Sequence, residues 1–152
     1  MIEIVSATRE HAERIRLREG DARELAALGV TDVAAKLGES ITRSLWSKAY
    51  LIDGEVAALV GLAARSLLGD EGIPWLITGT PVDRNKKLFL KETRAGVERM
   101  KATFPVLRNI VHAEYHQTIR WLRWLGFEIS APVPTGPLQL PFCVFRWSAA
   151  YG

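Results

Sequence analysis

The stretch Tyr115-His116-Gln117-Thr118-Ile119-Arg120-Trp121-Leu122-Arg123-Trp124-Leu125-Gly126-Phe127-Glu128 carries the reading of the fold. From His116 to Leu125 it predicts a helix, which Gly126 terminates because the residue just past a helix end commonly takes positive φ. Taken alone, Leu125-Gly126-Phe127 can be a glycine-capped helix with an apolar contact beyond it. Its surroundings give it more weight. Upstream, Asn109 to Glu114 predicts a strand, and Pro105 closes a helix of about 20 residues whose Phe89, Val97, Met100 and Phe104 face inward. Before that helix, Ile73 to Thr78 predicts a central strand stopped by Gly79-Thr80-Pro81. Apolar runs flank Asp53-Gly54, the strongest short-range signal for a hairpin. At the N-terminus, Ile2 to Ala7 predicts a strand and Thr8 the cap of a helix running to about Arg18. Asp21 with Glu24 resembles a capping box, and Thr31 caps a longer helix whose Val33, Leu37, Ile41 and Leu45 share one face. The tail predicts a last strand, Phe142 to Trp147, behind a proline-rich loop.

Composition fits one globular domain spanning residues 1–152, with 48% hydrophobic and 24% charged residues and no low-complexity stretch. The N-terminus lacks a basic segment followed by an apolar run, and no stretch approaches the roughly 20 apolar residues of a membrane span, so export by that route is not expected. A single cysteine, Cys143, allows no intramolecular disulfide and suits a reducing compartment such as the cytoplasm. Net charge is +3 but uneven: residues 1–80 hold 9 basic and 12 acidic side chains, residues 81–152 hold 11 and 5. A basic second half attracts an anionic ligand. Nucleic acid is disfavoured, because no basic run is interleaved with aromatics and no nucleic-acid-binding motif is present.

The order β, helices, β, β, β, α, β, α, β resembles that of the GNAT N-acyltransferases, an α/β class built as an α+β sandwich with a mixed central sheet flanked by helices. Residues 115–128 resemble the GNAT segment N-E-A-A-I-R-L-Y-E-K-L-G-F-E, with Leu-Gly-Phe-Glu aligned without gaps. Pro81-x-x-Arg84 resembles the start of the GNAT phosphate loop, P-x-x-R-G-x-G-x-G. The wider pattern W-L-I-T-G-T-P, P-x-L-R-N-I-V and I-R-W-L-R-W-L-G-F is also similar to the GNAT-like internal virion protein of short-tailed phages and its prophage relatives.

The resemblance implies acyl transfer from acetyl-coenzyme A to an amine of a small molecule or protein. It places pantetheine against Ile77, Thr78 and Gly79, and the cofactor phosphates on Arg84, Asn85, Lys86, Lys87 and Leu88. Departures set limits on this. The three loop glycines correspond to Asn85, Lys87 and Phe89, which puts coenzyme A binding in question, although Lys86 and Lys87 can supply charge or simply form a solvated first helical turn. Leu122 stands where the usual tyrosine acid would, and Tyr115 where the usual asparagine would. Glu114 is the expected base, with a rim charge paired to Arg120 or Arg123 as the alternative. Tyr115 is the expected acid, or else a buried tyrosine with a bonded hydroxyl. His112, Glu114 and His116 would share a face only if the strand ran through His116, so no metal site is expected. Two functions follow: an N-acyltransferase of weak activity, or a non-catalytic phage protein that keeps the scaffold and binds a phage or host protein.

Overall fold

A computed structural model describes residues 2–149. Strand β1 (Ile2–Ser6) leads into helices α1 (Arg9–Arg14), α2 (Glu19–Ala27) and α3 (Val33–Arg43). Strands β2 (Trp46–Ile52), β3 (Glu55–Ala64) and β4 (Glu71–Thr78) follow, then α4 (Lys86–Thr103), β5 (Val106–His112), α5 (His116–Trp124), β6 (Glu128–Ile129), β7 (Val133–Thr135) and β8 (Leu140–Ser148). The eight strands form one mixed sheet in the order β1-β2-β3-β4-β5-β8-β6, with β7 also on β8.

Local chemistry explains most boundaries. Thr8 caps α1 in a reciprocal box with His11, whose Nδ1 accepts the Thr8 N–H at 3.0 Å. Asp53 and Gly54 have φ of 52° and 80°, the double positive turn that lets strands keep their right-handed twist through a two-residue hairpin. Gly126 ends the last helix with φ 101°. Three expectations are corrected. The first helix stops at Arg14 rather than near Arg18, because Leu17 leaves it to bridge Gly79. Asp32, not Thr31, caps α3 through the Ala35 N–H. Asp21 and Glu24 form no capping box: α2 begins at Glu19, which places both inside the helix.

The sheet divides two apolar layers. Leu59 and Ile77 pack with Ala12, Leu25 and Leu37 beneath α1–α3. Val60 and Leu62 pack with Phe89, Met100, Ile119 and Leu122 beneath α4 and α5. Strand β3 is buried on both faces, which is why its sequence is a nearly continuous apolar run. The proline-rich loop carries the short strands β6 and β7, unanticipated because two or three residues show no periodicity.

The pairing that matters for function is the one that fails. Strands β4 and β5 are parallel and meet only at Glu71–Val106 and Gly72–Leu107. Beyond that point they part. The second strand ends sooner than expected. Strand β5 stops at His112, where the Tyr115 N–H donates to the His112 carbonyl at 3.0 Å and turns the chain into α5.

Candidate active site

One side chain and one backbone segment fix the width of the gap at its narrow end and its mouth. Asn109 Nδ2 donates to the Pro74 carbonyl at 2.9 Å, bridging the strands just after they part. At the far end, the segment Arg16–Arg18 runs along the strand terminus: the Arg18 N–H donates to Thr78 O (3.1 Å) and the Thr80 N–H to Arg16 O (2.9 Å). The Gly79 N–H is held by Ala57 O on the other side. Much of the Ile77–Gly79 backbone is therefore already paired within the chain. Alternation along β4 leaves the Leu76 backbone groups turned into the gap between these two ties.

The gap opens into a cavity of about 690 Å³ that passes through the sheet. On one face Leu25, Leu28 and Leu37 wall it, and on the other Phe89, Leu90 and Trp121. Arg18 spans the mouth, with Nε 3.2 Å from Asp83 and a second nitrogen donating to Gln117 Oε1 at 2.8 Å.

At the junction of α2 with the strand ends lies a polar cluster. Asp21 is 4% exposed, and its Oδ2 accepts hydrogen bonds from the Thr78 hydroxyl and, at 2.9 Å, from the Tyr115 hydroxyl. Burial pushes the Asp21 carboxyl above its ordinary range, although both hydroxyls and Arg18 pull the other way. One turn on, Glu24 Oε2 accepts the His112 N–H at 2.9 Å. Burial, with the nearby Asp21 charge, raises Glu24 to about 7 against that hydrogen bond. Tyr115 is pushed upward too, by burial and then by Asp21. Gly20 makes room for this arrangement, since a Cβ there would lie 2.3 Å from Tyr115 Cε1.

Across the sheet, α4 starts without a side-chain cap: Asn85 turns its amide to the Pro81 carbonyl instead. The first-turn amides thus lie open beside Lys86, which lines the cavity. Phe89 is buried and stacks on Trp121, with ring centroids 6.1 Å apart and planes 27° apart. Trp121 Nε1 is buried without a hydrogen-bond partner. The open Leu76 edge and the uncapped basic helix start fit a long, amide-bearing, phosphorylated thread such as coenzyme A.

The expected site residues separate into groups. Ile77, Thr78, Lys86 and Tyr115 line the cavity. Asn85 holds the turn before α4, while Lys87 and Leu88 are exposed on its first turn. Arg84 is exposed and bonded to Glu55 at 2.8 Å, turned toward β3. Glu114 is exposed in the turn after β5, away from the lining. Because β5 ends at His112, the residues His112, Glu114 and His116 do not share a strand face. Among the described residues no group of three His, Cys, Asp or Glu is placed to hold a metal. Sequence reading missed Asp21 and Glu24. Their signal was spacing: three apart on a helix, they share a face with Leu25 and Leu28 rather than with solvent.

Comparison with solved structures places this architecture. The chain superposes on a GNAT-family acetyltransferase from Streptococcus pneumoniae with a TM-score of 0.65 at 13% identity, covering 97% of this chain and 99% of that one. An Escherichia coli N-acetyltransferase acting on an alanine of a ribosomal protein gives 0.67 at 18% identity, covering 98% and 94%. A spermidine N-acetyltransferase chimera from Vibrio cholerae gives 0.68 at 10% identity, covering 99% and 96%. No family model and no curated protein matches the sequence. The chain has the GNAT acyltransferase fold, with an eight-stranded mixed sheet flanked by helices.

Proposed function

We propose that the chain is an acyl-coenzyme-A-dependent N-acyltransferase acting on a primary amine, with Glu24 as the proton acceptor. The observation that supports this most is the cavity through the parted strands, basic and uncapped on the α4 side and carboxylate-bearing on the α2 side. Bound acetyl-coenzyme A would supply an acyl group already activated as a thioester. Lys86, Lys87 and the first amides of α4 would hold its phosphates, and the Leu76 backbone its polar chain atoms.

The residues of this chain divide the proton work. An amine arrives mostly as ammonium near neutrality and must lose a proton before it attacks. Glu24 is suited to take it, with one oxygen fixed by the His112 N–H, the other free, and a pKa near 7. Tyr115 donates its hydroxyl to Asp21 and is pushed toward the neutral form, so it positions Asp21 and is a poor proton source for a leaving thiolate. A thiolate leaves tolerably without one. This reading replaces Glu114, which lies outside the cavity lining.

Calorimetric titration with acetyl-coenzyme A, followed by an acyl-transfer assay over a panel of primary amines, tests the proposal. Saturable binding and a rate that rises through pH 7 are expected. No binding at millimolar cofactor would overturn it. The alternative, a phage-type binding protein on a GNAT scaffold, has Phe89 in its favour: the side chain replacing the third loop glycine is locked against Trp121.

A further inference from the structure

We propose that the half of the cavity beneath α2 and α3 takes a primary amine joined to one bulky apolar group and carrying no second positive charge. This rests on the acyltransferase reading above, which gives the α4 side to an anionic donor and leaves this chamber for the acceptor. Leu25, Leu28, Leu37, Ile110 and Trp75 form its walls. The Trp75 ring lies flat on Gly61, where a Cβ would come within 2.3 Å of the indole. Its Nε1 donates to Ser44 Oγ at 2.8 Å, and Ser44 in turn donates to Ser40 O at 2.7 Å. The indole's polar atom is therefore satisfied outside the chamber, and its face is a fixed apolar wall.

Charge is arranged with equal selectivity. The inner end holds Glu24 and Asp21, the latter already bound by two hydroxyls, so one carboxylate is open to one ammonium. The outer rim carries Lys36 and Arg43, and Glu39 there is neutralised by Arg43 at 3.0 Å. A polyamine would have to place its further ammonium groups against leucine side chains, beside Lys36 or at the already paired Glu39, losing hydration without gaining an unpaired partner. An aromatic or branched alkyl group loses nothing there and is removed from water.

Titrating the full chain with tryptamine, ethylamine and spermidine, with and without saturating coenzyme A, reads the chamber without turnover. Tryptamine should bind at least tenfold more tightly than either of the others. Leu28→Arg should remove that preference while coenzyme A affinity stays within twofold of the parent, and Leu28→Ala should reduce it three- to tenfold if the arginine variant does not fold. Spermidine binding as tightly as tryptamine, or ethylamine matching it, overturns the inference. So does octanoyl-coenzyme A outbinding acetyl-coenzyme A tenfold with no discrimination among amines, which would assign the chamber to the acyl chain. Tryptamine selectivity in a protein that binds no coenzyme A would sink the acyltransferase reading and leave the chamber standing.

Discussion

Beneath α2 and α3, the cavity wall sets two carboxylates among leucines, each tied by hydrogen bonds to a strand end. Across the sheet, the wall offers an open helix start and Lys86. One face is paired by the protein itself except for one oxygen of Glu24. The other leaves its first-turn amides and Lys86 open to water or to a ligand. The contrast teaches that the two linings of the gap differ in kind: the acid cluster sits on a helix, and Asn85, Lys87 and Phe89 stand where the resemblance to the GNAT phosphate loop expects glycines. Polar atoms left open in a wall mark where binding energy is still available.

Removing the carboxylate that gives the α2 face its chemistry is the largest test. Glu24→Gln keeps an oxygen for the His112 N–H and loses the proton acceptor, so acyl transfer should fall about 100- to 10,000-fold. Parent rates should rise with an inflection near pH 7, whereas the variant's should follow only the unprotonated fraction of the amine, climbing about tenfold per pH unit with no inflection there. Glu114→Gln should stay within twofold of the parent. A reversal of these two results, measured as kcat/KM across pH 6 to 9, would move the base out of the cavity and dissolve the contrast.

The same carboxylate sharpens the comparison through stability. The folded state raises Glu24 from 4.5 to about 7, so it holds its proton more tightly than the unfolded chain does. Its contribution is therefore fully present below about pH 4.5 and is lost as pH rises toward 7, and Asp21, also raised, acts in the same direction. Glu24→Gln escapes this loss. It should match the parent near pH 4 and exceed it by at most about 3 kcal/mol at pH 8, as read from denaturant unfolding at both pH values. A difference that does not change with pH would mean that Glu24 is solvated in the native protein.

Gly20→Ala probes how tightly the α2 face is packed. The new Cβ would overlap the Tyr115 ring and displace the hydroxyl held on Asp21, at a cost of about 1–3 kcal/mol, partly offset by up to about 1 kcal/mol from helix propensity. In a Tyr115→Ala background the penalty should vanish. Unfolding free energies of the four proteins in that cycle decide it.

The element order was legible because it follows from long apolar runs, an Asp-Gly turn and a glycine helix end, all local signals, whereas the parting of the strands was expected only through the resemblance to the GNAT fold. The cofactor side was partly legible for the same reason: Lys86 and Lys87 stand at a helix start that a proline and a turn announce. The acid cluster was not. Asp21 and Glu24 look like cap residues until tertiary packing shows that α2 starts three residues earlier, and nothing local reveals that Thr78, Tyr115 and the His112 N–H converge on them from segments 57 to 94 residues away. Glu114 falls in the turn after β5 rather than at its mouth because the strand ends two residues sooner than its sequence suggests.

The smallest expected effect tests the α4 face. Lys86 and Lys87 are exposed on the first turn of α4, where an anion gains from open amides, the helix dipole and two cations, each contributing about 0.3–1 kcal/mol at low ionic strength. Replacing both by Ala should weaken coenzyme A binding about three- to thirtyfold at low salt. Exposed charges are screened within about 10 Å at 0.1 M salt, so the gap between parent and variant should shrink as salt is added. Dephosphorylated pantetheine, which cannot reach the helix start with a charge, should bind both proteins equally. Calorimetry in which the double variant loses affinity for pantetheine as well would place the defect in the fold of α4 rather than in phosphate attraction. An unchanged coenzyme A affinity would leave the α4 start a solvated helical turn, and the two faces of the gap would no longer differ in what they bind.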